Sequence, residues 1–131
     1  MESYSVSPLQ EGMLFHHLEA TNSGSYIQQV VLTLHEPLHV SLLRQAWQNV
    51  VNRHSALRVS FHCEADAPPF QRVHSSVSLM WQEQDWSGLV SPERENKLST
   101  LLILDRQRGF DVTQAPLMRL ALFCFGENDF R

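Results

Sequence analysis

The chain predicts an α/β (α+β) sandwich, a mixed sheet packed by helices, and three observations predict it. Over 40–53, Leu43, Ala46, Trp47, Val50 and Val51 recur at three- and four-residue spacing, the pattern of an amphipathic helix. Leu57, Val59, Phe61 and Cys63 then alternate with Arg58, Ser60 and His62, so the apolar period drops from 3.6 to 2 within a few residues. Two short strand-like stretches, 70–74 and 77–81, flank Ser75-Ser76 and read as a hairpin. Helices mixed with strands and a hairpin favour a mixed sheet over a strictly alternating parallel fold.

The elements follow in order. Ser7 can cap a helix, Pro8 suits its first position, and Gln10 stands where its side chain can complete a capping box. Leu9, Met13, Leu14 and Leu18 continue that helix for about three turns, until the polar group Thr21-Asn22-Ser23-Gly24-Ser25 breaks the pattern. Tyr26 to Leu34 is apolar on both alternating faces, which predicts a strand buried on both sides, and His35-Glu36-Pro37 ends it. Ala65 to Pro69 reads as the turn before the hairpin. Ser91-Pro92 repeats the cap-then-proline device, Leu98, Leu101, Leu102 and Asp105 share one side of a helix, and Gly109 supplies its stop. Leu117 to Phe125 returns to strand text, and the polar turn residues Gly126 to Asp129 should introduce another strand. No repeat, linker or low-complexity stretch divides the chain, so 1–131 is expected to be one domain.

At 131 residues a globular unit can bury about two thirds of the surface its unfolded chain exposes, enough for a core. With 43% hydrophobic and 18% charged residues the composition is that of an ordinary globular protein. The net charge of −4 and the scattered Lys and Arg residues offer no basic surface for nucleic acid or an anionic membrane. Cys63 and Cys124 lack metal-site or redox spacing and are expected to be buried thiols. The start of the chain lacks the charged and apolar regions of a secretory signal, and no apolar run is long enough to span a membrane. A cytoplasmic location is the expectation.

Three phrases carry a family resemblance: Ser-Pro-Leu-Gln-Glu-Gly-Met-Leu-Phe-His at 7–16, Arg-His-Ser-Ala-Leu-Arg-Val-Ser-Phe at 53–61, and Arg-Gly-Phe-Asp-Val-Thr-Gln-Ala-Pro-Leu-Met-Arg at 108–119. In that order they resemble condensation domains of non-ribosomal peptide synthetases, and the text at 42–47 and 69–73 fits as well. The resemblance implies most of the N-terminal lobe of a two-lobed, chloramphenicol acetyltransferase-like fold. It also implies the family's reaction. A donor acyl group, held as a thioester on one carrier protein's phosphopantetheine arm, is joined as an amide to the amine of an acceptor held on another. Carrier proteins and the rest of a multidomain synthetase are then the expected partners, and no cofactor or metal is expected to be bound by this chain directly.

The resemblance places the family's active-site phrase, His-His-x-x-x-Asp-Gly, shortly beyond Arg131, so the chain is expected to be a partial domain, inactive alone and without a catalytic residue of its own. His16 and His17 are adjacent but lack Asp-Gly and stand on the first helix, where a helix-end pair beside the C-terminal dipole explains them. Arg58 alternates against Leu57 and Val59, which directs its guanidinium to the opposite face. The resemblance makes it the partner of the aspartate in that phrase, a structural clamp for the active centre. Arg53 and His54 stand second to it and also suit the terminal carbonyls of the preceding helix. Ser7, Gln10, Glu11 and Gly12 are the family's N-terminal motif and mark where the domain begins. Asp111 is expected to turn the chain after Gly109. The Gln10 to Phe15 phrase is more similar to ordinary condensation domains than to epimerisation ones. A non-catalytic module that binds a carrier protein or a complementary chain is the alternative.

Overall fold

A computed structural model describes residues 2–19 and 26–131. The strands are β1 (Glu2–Ser5), β2 (Val59–His62), β3 (Phe70–Val73), β4 (Met80–Asp85), β5 (Arg119–Gly126) and β6 (Asp129–Phe130). The helices are α1 (Pro8–Glu19), α2 (Val40–Arg53) and α3 (Ser91–Arg108), with a 3-10 turn over Ser55–Arg58. Two three-stranded sheets result. One is antiparallel in the order β1-β3-β2; the other is mixed, β4-β5 parallel and β5-β6 antiparallel. The mixed α/β architecture is the one the sequence predicts.

The helices form where local signals placed them. The capping box at the start of α1 is complete: the Ser7 N–H donates to Gln10 Oε1 at 2.8 Å and the Gln10 N–H to Ser7 Oγ at 3.2 Å. Helix α2 spans the amphipathic stretch and buries Val51 completely. Helix α3 ends at Gly109, whose φ of 59° is costly for any residue with a Cβ. At its other end the device differs from the expectation, because Ser91 is itself the first helical residue and Val90 is the cap, with no side-chain bond. The polar break at 21–25 lies outside the described residues.

The strands depart from the sequence reading in three places. First, 70–74 and 77–81 do not form a hairpin. Both edges of β3 are taken, by β1 and β2, so the alternation beyond His74 is satisfied elsewhere: β4 runs parallel to β5. The crossing is held on α2, where Gln48 Nε2 donates to Val77 O and the Leu79 N–H donates to Gln48 Oε1, both at 3.0 Å. Second, residues 27–33 join no strand, and Leu34 makes one isolated bridge, to Phe130. Val30, Val31 and Leu32 are exposed there, so the buried strand expected at 26–34 is not formed. Third, β1 lies in text that carries no strand signal, and it owes its place to the β3 edge.

The core lies under the mixed sheet. Trp86 stacks on Phe123 at 4.0 Å between centroids, with Leu98 and Phe125 buried beside them and Leu101 and Leu102 of α3 packed around. Of the cysteines expected inside, Cys63 is exposed and Cys124 only half-buried. Cys63 follows the last residue of β2, where the chain has already left the sheet.

Candidate functional site

Arg58 is the centre of the described chemistry, and it is held differently from a residue in mid-strand. Because it closes the 3-10 turn, its guanidinium folds back over the end of α2. Nη1 donates to Val51 O at 2.9 Å and to Asn52 O at 2.7 Å, and Nε donates to His74 O at 2.9 Å. The backbone completes the ring, with the His74 N–H donating to Arg58 O at 2.8 Å. One cation thus satisfies two terminal carbonyls of a helix, where the macrodipole is negative, and ties them to the end of β3. Among the described residues its partners are carbonyls and not a carboxylate, and Nη2 makes no hydrogen bond.

Its two sequence neighbours stay at the helix end. Arg53 closes α2, and the His54 N–H donates to Val50 O at 3.0 Å, the ordinary C-cap contact. Neither side chain joins the Arg58 cluster.

Next to that clamp sits a polar group that the sequence did not single out. Ser60 is fully buried, and its Oγ lies 2.9 Å from His62 Nε2 and 2.8 Å from His74 Nε2. A hydroxyl with one proton and two acceptor sites can satisfy both rings, one as donor and one as acceptor. Burial, then the nearby Arg72 cation, then His74 hold His62 below the ordinary imidazole value, against a weaker pull from Glu64. The alternation of β2 places Ser60 and His62 on one face; the arrival of His74 required the β2-β3 register.

The N-terminal motif is structural. Gln10 and Gln71 exchange amide hydrogen bonds of 3.3 and 3.1 Å, and Gln71 Nε2 also donates to Ser5 O at 3.1 Å, so α1 is fastened to the antiparallel sheet. Glu11 is exposed, and a Cβ built on Gly12 would meet nothing within 4 Å. His16 and His17 lie in the last turn of α1, as the sequence placed them. Asp111 accepts from the Thr113 N–H at 3.0 Å and its hydroxyl at 2.6 Å, which holds its carboxyl below the usual carboxylate range in the turn expected of it.

A second clamp joins α3 to β5. Arg119 Nε and Nη2 both stand 2.9 Å from Asp105 Oδ1, Nη2 donates to Asp105 O at 3.1 Å, and the guanidinium lies 4.0 Å above the Phe110 ring. A charge on the apolar side of a helix was the visible signal, since Asp105 there needs a cation. On the far carboxylate oxygen, Asp105 accepts from Gln29 Nε2 at 3.3 Å. A half-open, largely apolar cavity of about 940 Å³ lies between α1, α3, residues 26–34 and β5. Among the described residues no group of three or more His, Cys, Asp or Glu could hold a metal, and no helix is long and apolar enough to cross a membrane.

With this geometry in place, the comparisons fall together. A family model described as "Condensation domain" matches residues 1–131. A linear gramicidin synthase of Brevibacillus parabrevis is 41% identical over 128 residues, which are 98% of this chain and 2% of that protein. Bacitracin synthase 1 of Bacillus licheniformis is 31% identical over 128 residues, again 98% of this chain and 2% of that protein. The chain therefore spans about 2% of the length of these curated relatives. Among solved structures, a four-domain nonribosomal peptide synthetase bound to AMP and glycine matches with a TM-score of 0.83 at 20% identity, over 99% of this chain and 10% of that one. The starter condensation domain of rhizomide synthetase matches with a TM-score of 0.75 at 19% identity, over 99% of this chain and 32% of that one. At these identities the solved structures establish the fold, which is the chloramphenicol acetyltransferase-like one.

Proposed function

The chain belongs to the condensation domain family, and from that premise we propose that it builds the N-terminal lobe of an amide-forming condensation domain in a non-ribosomal peptide synthetase. The observation that carries this reading is the family match along all of 1–131, together with relatives that are peptide synthases. The reaction joins a carrier-bound acyl or peptidyl thioester to a carrier-bound acceptor amine. In it the amine nitrogen attacks the thioester carbonyl, the carbon–sulfur bond breaks, the donor carrier's thiol leaves with a proton, and an amide remains on the acceptor carrier. The phosphopantetheine arms belong to the carrier proteins, which with the rest of the synthetase are the partners, in the cytoplasm.

Within that domain this lobe contributes framework. Arg58 fixes the junction of α2 and β3 through three carbonyls and keeps the Nη2 donors for the aspartate of the family's active-site phrase. Ser7, Gln10 and Gln71 hold α1 against the sheet. A positioned base contributes about 10²–10⁴ in rate and alignment of two reactants an effective molarity of about 10⁵–10⁸ M, so the lobe alone, lacking both, is inactive.

The test is a chimera. Residues 1–131 replace the matching segment of a condensation domain in the linear gramicidin synthase compared above, and amide formation is measured between carrier-bound aminoacyl thioesters. The chimera should turn over, Arg58→Ala in it should lose most activity while Arg58→Lys recovers little, and the isolated chain should give none. A folded but inactive chimera, or turnover by the chain alone, overturns the proposal.

A further inference from the structure

We propose that Ser60 and His62 are positioning residues for Arg58: hydrogen bonds running from the His74 ring through the Ser60 hydroxyl to His62 fix the His74 backbone that aims the Arg58 guanidinium, and a proton on His62 breaks that chain. Its effect on turnover rests on the role of Arg58 given above, whereas the chain of bonds stands on geometry alone.

The register of β2 on β3 sets His62 opposite Phe70 and Ser60 opposite Arg72, and carried two residues further it sets Arg58 opposite His74. That last pair lies beyond β3, which ends at Val73, and its closure departs from the ladder. The His74 N–H donates to Arg58 O at 2.8 Å, but the return bond to His74 O comes from Arg58 Nε at 2.9 Å, where an antiparallel pair would use the backbone N–H. One of the three carbonyls that aim the guanidinium is thus placed by residue 74. After it the chain leaves through the exposed Ser75 and Ser76, so the further hold on this residue is its own ring, with Nε2 2.8 Å from Ser60 Oγ.

Counting protons gives the chain its direction. Ser60 Oγ is wholly buried and, among the described residues, bonds only to the two rings. It has one proton to give. One ring must accept that proton on a bare Nε2, and the other must donate its own Nε2–H to Oγ. Two protonated rings would aim two donors at the oxygen and leave the buried hydroxyl proton without an acceptor. The donating ring can therefore gain a charge at Nδ1 with the chain intact, while the accepting ring cannot. The surroundings make His62 the acceptor. Its ring stacks on Phe70 at 5.3 Å between centroids, and the Arg72 guanidinium lies 5.3 Å from the same phenyl ring. Burial, Arg72 and His74 together outweigh Glu64 and keep His62 neutral. Of the other charged groups at this end of the sheet, Arg58 donates to carbonyls, and Arg53 and His54 at the end of α2 make no side-chain bond to the cluster. A proton on His62 takes the acceptor from the Ser60 hydroxyl, loosens His74 and releases Arg58 Nε.

The test reads the bonds and the turnover separately. In the full chain, NMR of isotope-labelled side chains follows both rings and the Arg58 Nε–H from about pH 8 to about pH 5. His62 should carry its proton on Nδ1 and His74 on Nε2. His62→Gln offers Oε1 as an acceptor that does not titrate, so it serves as the reference at each pH. Relative to it, exchange of the Arg58 Nε–H with water should be alike at the alkaline end and about five- to tenfold faster once His62 is protonated, the ratio that one net hydrogen bond corresponds to. His62→Leu, which leaves the hydroxyl without an acceptor, should show the fast exchange at every pH. In the chimera described above, kcat of the parent relative to His62→Gln should fall by a similar factor over the same range. The reverse placement of the ring protons, an Arg58 Nε–H indifferent to His62, or His62→Leu behaving as His62→Gln overturns the proposal. An active chimera whose ratio stays constant overturns the link to turnover. An inactive chimera counts against the framework reading of the lobe, and the NMR comparison then decides the positioning of Arg58 by itself.

Discussion

Removing the Arg119 guanidinium should loosen the attachment of α3 to β5, and the size of the effect can be worked from the contacts. Arg119→Ala deletes two approaches to Asp105 Oδ1 at 2.9 Å, the 3.1 Å bond to Asp105 O, the Nη1 bond to Gly109 O, and the stacking on Phe110 at 4.0 Å. Charged hydrogen bonds are worth about 1.5–3 kcal/mol each when buried. The Asp105 side chain is 32% exposed against 14% for Arg119, so water recovers part of the loss and the pair is discounted. With the stacking included, a destabilisation of about 2–3 kcal/mol is expected. In urea this lowers the midpoint by about 1 M at a typical slope of roughly 2 kcal/mol/M, with the slope itself unchanged. A double-mutant cycle with Asp105→Ala, run by urea unfolding of the chain, should return a coupling of at least about 1 kcal/mol, and Arg119→Lys should recover less than half, because an ammonium cannot present the same fork. A coupling below about 0.3 kcal/mol, the noise of independent sites, would refute the clamp.

Two further outcomes are expected. The His62 ring resists protonation in the folded chain, so as pH falls through the ordinary value of 6.5 the unfolded chain takes up a proton that the folded one refuses. The stability contributed by neutral His62 is present above that value and is lost below it; thermal midpoints between about pH 5 and 8 should rise with pH on this account, and His62→Gln should flatten the profile, while a slope of opposite sign that His62→Gln removes would sink the assignment. Gly12 lies inside α1 with open space where a Cβ would stand, so Gly12→Ala should raise the chain's stability by about 0.5–1 kcal/mol, measured by chemical denaturation; a loss would mean that another element packs there.

Much of this molecule was legible from its residues. The Ser7–Gln10 box, the 3.6-residue period through Val51 and the stop at Gly109 each depend on groups within a few positions, and each appears where the text put it. The family phrases were equally plain, as the match over 1–131 shows. For Arg58 the resemblance supplies an aspartate partner, whereas the groups that its guanidinium grips among the described residues, the carbonyls of Val51, Asn52 and His74, leave no trace in any periodicity, since every residue has a carbonyl. The Ser60 cluster was invisible for a related reason: His74 reaches it only through the register of β2 on β3.

Strand text presents the same limit from the other side. Alternation at 77–81 and the apolar run at 26–34 state that a segment is suited to a sheet and say nothing about which edge will receive it. The tertiary structure decided that β3 had no free edge, that β4 would lie parallel to β5, and that residues 27–33 would join no strand, with a single bridge at Leu34. By itself the sequence determined the three helices, the Ser7–Gln10 box, the stop at Gly109 and the family, because those rest on contacts between near neighbours in the chain. Strand partners, the carbonyl grip of Arg58 and the bonds of Gln29 and Arg119 to Asp105 were decided only in three dimensions, because a hydrogen bond between distant segments depends on both arriving together.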